Sequence, residues 1–476
     1  MDETRRGVIG LASLGLAGLT TARTFALGRA GGLRSGGALL DDLEQRTFRW
    51  FWDVGNPATG LVPDRCPSKS FCSIAAVGFA LNAYAIGAER GWINRAQARE
   101  RTLNTLRFFA TAPQGDAPAG MTGHRGFFYH FLDMERGRRF ETVELSSIDT
   151  VLLLAGALFA GSYYDSDHPG EAEIRRLAQY LNGRVDWPWM LGKGPLVSMG
   201  WTPEQGFIES QWDRFNEATI LYILAIGSPT HPIDPAIWRR WTRNFSYSWG
   251  DHWGERHLSF GSLFGHQYSH LWIDFRGIRD PWLRAHGLDL FENSRRATRA
   301  QRNYAIANPG QWAAYGPDCW GLTACDGPGD FKMVIDGRER EFHGYTARGP
   351  DRVDDGTLAP TAMASSIAFE PQLVLSGLAA MKRRFGPAIY GRYGFLDAFN
   401  PTLTKAPAGR EPEHGRLVRG VGWVDVDYLG IDQGPIVGMI ANYRNEFIWR
   451  AMRRSPPVIA GLKRAGFTGG WLDSAR

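Results

Sequence analysis

Five stretches of this chain are apolar or small on nearly every side: 70–87, 146–161, 218–227, 359–380 and 434–443. Helices with no wet face must be enclosed by other structure. Between them run segments of the opposite kind. Residues 42–52, 95–110, 171–181 and 235–243 carry apolar residues at three- and four-residue spacing, with Arg and Glu in between, the pattern of a helix with one wet face. A sixth enclosed member is expected near 262–275. Alternation of the two kinds predicts an all-α protein, an (α/α)6 toroid in which one ring of helices lies inside another.

The segments between helices are read as loops on that scaffold. Short β-like stretches are expected at 126–132 and 187–191, and Gly/Pro-rich linkers at 327–350 and 401–415. The linkers are read as long loops over one rim, where loop length serves binding. No domain boundary is evident, so residues 31–476 are expected to form a single catalytic domain. Hydrophobic residues at 43% and charged residues at 22% exclude a disordered chain.

Residues 1–30 are read apart. Arg5 and Arg6 precede an uncharged stretch of Leu, Ala and Gly ending at Ala22, which resembles a twin-arginine export signal and is too short and glycine-rich for a stable membrane span. Cleavage after Ala22, Ala26 or Ala30 would leave a periplasmic or secreted protein. Arg5, Arg6, Arg23 and Arg29 supply part of the net charge of +5, and no basic stripe with interleaved aromatics is present, so no nucleic-acid partner is expected. A monomer is expected. Four cysteines form two close pairs, Cys66 with Cys72 and Cys319 with Cys325. Export would permit disulfides, in any of three connectivities.

Carboxylates stand where the enclosed helices begin. Glu144 and Asp149 open the second, Glu217 precedes Ala218-Thr-Ile-Leu-Tyr, and Asp432 opens the last. If those helices run parallel, the acids converge on one end. Asp432 also fits an N-cap and Glu144 an exposed loop. Glu217 is read as sitting in a largely apolar helix, where desolvation raises a carboxyl pKa and suits it to act as a general acid. Two polar and aromatic clusters are candidates for holding hydroxyl-rich ligands: His124, Arg125 and His130, and then His266, Tyr268, His270, Asp274 and Arg276. Neither has the close spacing of metal ligands, so no metal or cofactor is expected. Most of the 18 Trp are read as core.

Seven ordered motifs carry a resemblance: Leu61-Val-Pro-Asp64-Arg65, Ser73-Ile-Ala-Ala-Val-Gly-Phe-Ala-Leu81, Gly126-Phe-Phe-Tyr-His-Phe-Leu-Asp133, Glu144-Leu-Ser-Ser-Ile-Asp149-Thr150, Leu221-Tyr with Gly227-Ser-Pro-Thr-His231, Trp320-Gly-Leu-Thr-Ala-Cys-Asp326-Gly-Pro328, and Leu429-Gly-Ile-Asp432-Gln-Gly-Pro435. Together they resemble the glycoamylase-like family, which includes the endo-β-1,2-glucanases of glycoside hydrolase family 144. That resemblance implies an (α/α)6 fold, anomer inversion, and β-1,2-glucan or a related oligosaccharide as substrate. It implies Glu217 as general acid, a cleft at Asp133, Glu144 and Asp149, and substrate contacts from the motif of Trp320 and Asp326. The base falls on Asp397 or Asp432, and the two remain alternatives. Cys325 and Phe369-Glu370-Pro371 depart from the family pattern. Alternative readings on the same scaffold are a polysaccharide lyase, a transglycosylase or a catalytically inactive sugar-binding protein.

Overall fold

A computed structural model describes residues 37–475, so the export-signal reading lies outside the described residues. Residues 37–42 are helical, and residues 43–475 belong to one body. Its fold is mostly helical. Six helices are enclosed over nearly their whole length: Ile74–Glu89, Ser147–Tyr163, Thr219–Gly227, Phe264–Trp272, Pro360–Ala364 and Gly430–Asn445. Amphipathic helices accompany them, among them Arg95–Thr111, Pro169–Gly183, Ala236–Arg243, Leu290–Ala307 and Pro371–Phe385.

Each enclosed helix touches the next. The first packs on the second, and the second on the third. Ser269 on the fourth joins the third by accepting from Ile220 N–H and donating to the Glu217 carbonyl. Gln267 of the fourth donates to the Ala362 carbonyl on the fifth. Thr361 of the fifth donates to the Asp432 carbonyl on the sixth, and the sixth packs back on the first.

Direction follows from short strand pairings. Ser73, the N-cap of the first helix, pairs with Phe131. Ser146, the N-cap of the second, pairs with Phe128, and Leu429, just before the sixth, pairs with Arg65. These three helices therefore begin at one end. At the other end, Asn442 near the close of the sixth helix donates to the Leu271 carbonyl near the close of the fourth.

Four expectations are corrected. The all-α reading omits a five-stranded sheet, in the order Gly123–His124, Phe127–Tyr129, Leu145–Ser146, Gly200–Thr202, Gly206–Phe207, and a three-stranded one around Gly422–Asp425. The 187–191 stretch is a one-turn helix, Trp187–Met190: Asp186 accepts from Trp189 N–H and Pro188 sits in the first turn, a strong start signal. The 359–380 stretch is two helices, Pro360–Ala364 and Pro371–Phe385: Pro371 disfavours helical backbone at Glu370, which leaves the helical region, and suits the first turn of a new helix. The 327–350 linker also folds locally, as a hairpin of Phe331–Ile335 on Arg338–Phe342.

The first two enclosed helices meet backbone to backbone. A Cβ on Gly78 would collide with the Leu152 carbonyl, and one on Gly156 with the carbonyl of Gly78. Neither obstacle is a side chain that can swing away. Gly156→Ala is therefore expected to destabilise by about 1–3 kcal/mol or more, the range for overpacking, despite the better helix propensity of Ala. Urea unfolding at equilibrium measures this; an unchanged midpoint would contradict the close approach.

Candidate active site

Glu217 does not sit inside its helix, as its apolar surroundings suggest, but in the turn just before Thr219. The Thr219–Gly227 helix has no side-chain cap of its own. Ser269, from the neighbouring helix, supplies the hydroxyl instead, holding both the Ile220 amide and the Glu217 carbonyl. This fixes the backbone on which the acid is mounted. Glu217 is buried, with 8% of its surface exposed, and none of the described residues hydrogen-bonds its Oε2. Desolvation, with a smaller push from the charge of Asp149, raises its pKa to about 7.

Asp432 lies in the first turn of the Gly430–Asn445 helix. Pro435 has no N–H to give to the carbonyl of Ile431, and the Tyr268 hydroxyl reaches that carbonyl at 3.4 Å. Tyr268 is within electrostatic reach of Asp432, Glu217 and Asp149, so it stands among the acids of three different helix starts. Exposed Tyr345 is within reach of Asp432, Asp64 and Asp397.

The two alternatives for the base prove to be neighbours: the side chains of Asp397 and Asp432 are in hydrogen-bonding contact. Two carboxyl groups make such a bond only by sharing a proton. Burial, together with the neighbouring charges, pushes Asp397 up to about 7 and Asp432 well above the usual carboxylate range. Asp397 Oδ2 accepts from the Asp326 N–H at 2.9 Å. Arg65 donates to Asp326 at 2.5 Å and to Asp64 at 3.2 Å, and contacts His414. Asp64, Arg65, Asp425 and Asp427 were not among the candidates singled out from the sequence. Their signal lay in the Leu-Val-Pro-Asp-Arg motif and in the Asp-Val-Asp that precedes Gly430.

A second group is centred on His130. Its Nδ1 meets Glu144 at 2.8 Å and its Nε2 lies 3.5 Å from Asp149, whose Oδ2 also accepts from Ser146 at 2.6 Å. Burial works against protonation of this ring, but the carboxylates of Asp149 and Glu144 win and raise it to about 9. Asp133 is near this cleft, yet its oxygens are taken by the amides of Glu135, Arg136 and Arg138.

Other sequence candidates are engaged elsewhere. His124 stacks on Trp201 with ring centroids 5.1 Å apart, and Arg125 pairs with Asp186. His266 is packed against Phe215 and accepts from the Phe260 amide. His270 is buried against Ser294, Phe275 and Phe369, and burial takes its pKa down to about 3. Asp274 follows the end of its helix and is paired with Arg276 and Arg453, while Arg276 also meets Glu446. That network lies at the opposite end from the acids. Trp320 is wholly buried and offers no face to a ligand.

Asp326, Asp397 and Asp425 bring oxygens within 4.8 Å of one another, and are the group among the described residues that could hold a hard cation. Arg65 already offsets part of the charge of this group, and burial favours the protonated form of Asp397. The four cysteines are free thiols, three of them buried, so the disulfides that export would permit are not formed here. No helix among the described residues is long and apolar enough to cross a membrane.

Fold and site together define a helical protein with a cluster of buried carboxylates at the end where its enclosed helices begin. Residues 209–456, just over half of the chain, match the Glycoamylase (glucoamylase) family model, and the chain belongs to that family. It is 27% identical over 461 residues to an exo β-1,2-glucooligosaccharide sophorohydrolase (non-reducing end) of Parabacteroides distasonis, covering 90% of this chain and 57% of that relative's length. The structure of an endo-β-1,2-glucanase from Chitinophaga pinensis superposes with a TM-score of 0.74 at 26% identity, covering 92% of this chain and 99% of the other. A β-1,2-glucanase from Parabacteroides distasonis gives a TM-score of 0.74 at 27% identity, covering 90% of this chain and 60% of the other.

Proposed function

We propose that this protein is a glycoside hydrolase that cleaves β-1,2-glucan or related β-glucooligosaccharides with inversion, on an (α/α)6 toroid. The order of enclosed helices, in which the sixth packs on the first, supports the toroid. One observation carries the chemistry: Glu217 is buried with its Oε2 unpartnered among the described residues, a setting that favours its protonated form, and Tyr268 lies within reach of both Glu217 and Asp432. Inversion needs an acid for the leaving oxygen and a carboxylate to activate water on the opposite face of the sugar. In this reading Glu217 is the acid. Asp432, nearer Tyr268, is the base, and Asp397 positions it. Substrate class rests on the relatives, whose names specify β-1,2-linked glucans.

Incubation with linear and cyclic glucans of several linkages tests this, with products separated by chromatography and the fresh anomer followed by proton NMR. Cleavage confined to β-1,2-linked chains, with α-glucose ends appearing first, is the expected result. Unsaturated products absorbing in the ultraviolet would make it a lyase, and binding with no new reducing ends would make it a binding protein.

A further inference from the structure

Beside the acid cluster opens a cleft of about 1050 Å3 whose lining has the opposite charge. Arg65, Lys69, Arg136 and Arg138 face it, against two acids, Asp133 and Glu135. Asp133 is consumed by three backbone amides. Arg65 is committed to Asp64 and Asp326. Arg138 is held by the Thr122 hydroxyl and the Arg136 carbonyl, both at 3.1 Å, and no carboxylate among the described residues pairs with it, with Lys69 or with Arg136. Phe71 and Phe140, with ring centroids 4.8 Å apart, form an apolar wall of the same cleft.

A neutral sugar chain needs aromatic faces and hydrogen bonds, not three cations that no carboxylate pairs and that outnumber the two acids beside them. A net charge of one sign in a walled cleft raises the local concentration of a ligand of the other sign. Arg65 lines this cleft and also touches Asp326, so the cleft continues from the reacting end. We propose that it binds glucan units remote from the scissile bond that carry an anionic substituent, a phosphate or carboxylate group, with Lys69, Arg136 and Arg138 receiving the charge and Phe71 and Phe140 the sugar rings. This rests on the glucan-hydrolase reading above and narrows its substrate class.

The test compares β-1,2-glucooligosaccharides of one length in three forms: neutral, chemically phosphorylated and chemically succinylated. At low salt the anionic forms are expected to show kcat/KM about tenfold above the neutral one, as two or three partly exposed pairs provide, and raised salt should erase the difference. A phosphate-only or carboxylate-only gain identifies the group received. Combined Lys69→Gln and Arg136→Gln, two exposed positions, should reduce the anionic-to-neutral ratio several-fold, and adding Arg138→Gln should bring it near one. A ratio at or below one in the unaltered protein, or one that survives the triple change, overturns the proposal. The ratio is also read by equilibrium binding, so it is decided even if neither glucan is cleaved, an outcome that would instead remove the hydrolase reading.

Discussion

Glu217→Gln lowers turnover of natural β-1,2-glucan by about 10²- to 10⁴-fold, the range that general-acid catalysis supplies. The amide keeps the shape of the side chain and cannot deliver a proton. A substrate with an activated leaving group needs no protonation, so there the defect should shrink greatly. An equal loss on both substrates would remove Glu217 from the acid's role. The same variant makes a stability prediction of opposite sense. Glu217 is raised from 4.5 to about 7 in the folded chain, so between these values the unfolded chain has released a proton that the folded chain keeps. Its contribution to stability is whole below about pH 4.5 and is lost as pH rises toward 7, amounting to about 3 kcal/mol at the upper end. Gln does not titrate. The variant should therefore melt higher than the parent at pH 8, with the gap closing toward pH 4.5. A parallel pair of melting curves across that window would show that burial does not hold the proton.

Enclosed helices were legible because an apolar segment with no wet face has few places to go, and acids at their beginnings were conspicuous for the same reason. Their joining was not. Arg65 pairs with Leu429, and Ser146 with both Phe128 and Gly200; two-residue strands of this kind have no periodicity, and their partners lie far off in the chain. Histidine 270 and Asp274 show the converse failure. A polar residue in an apolar run reads alike whether it meets substrate or a private partner, and only packing reveals that Ser294 and Arg453 satisfy these two. The break before Pro371 was the more readable error: Phe369-Glu370-Pro371 stood out as unusual, and Glu370 is there to pair with Arg295 and Arg299. The basic cleft is not legible in the sequence, because Lys69, Arg136 and Arg138 stand in two separate loops, each of ordinary composition.

Asp432→Asn is expected to cost about as much turnover as loss of the acid, about 10²- to 10⁴-fold, but with no relief from an activated leaving group, since water must still lose its proton. Asp397→Asn should behave differently. In the parent, two buried carboxyl groups this close raise each other's pKa, because ionising both side by side is unfavourable. With Asn at 397, Asp432 no longer faces a second negative charge and gains an amide N–H that favours its ionised form, so its pKa falls. Activity on the acidic limb of the pH profile depends on the base having lost its proton, and that limb should therefore move to lower pH, with a smaller loss at the optimum than in Asp432→Asn. The alkaline limb, set by Glu217 near pH 7, should stay in place. If Asp397→Asn instead abolishes turnover while Asp432→Asn only shifts the limb, the two aspartates exchange roles. If neither change moves the profile or the rate, the pair is a structural one and the water-activating carboxylate is to be sought beside His130, at Asp149 or Glu144.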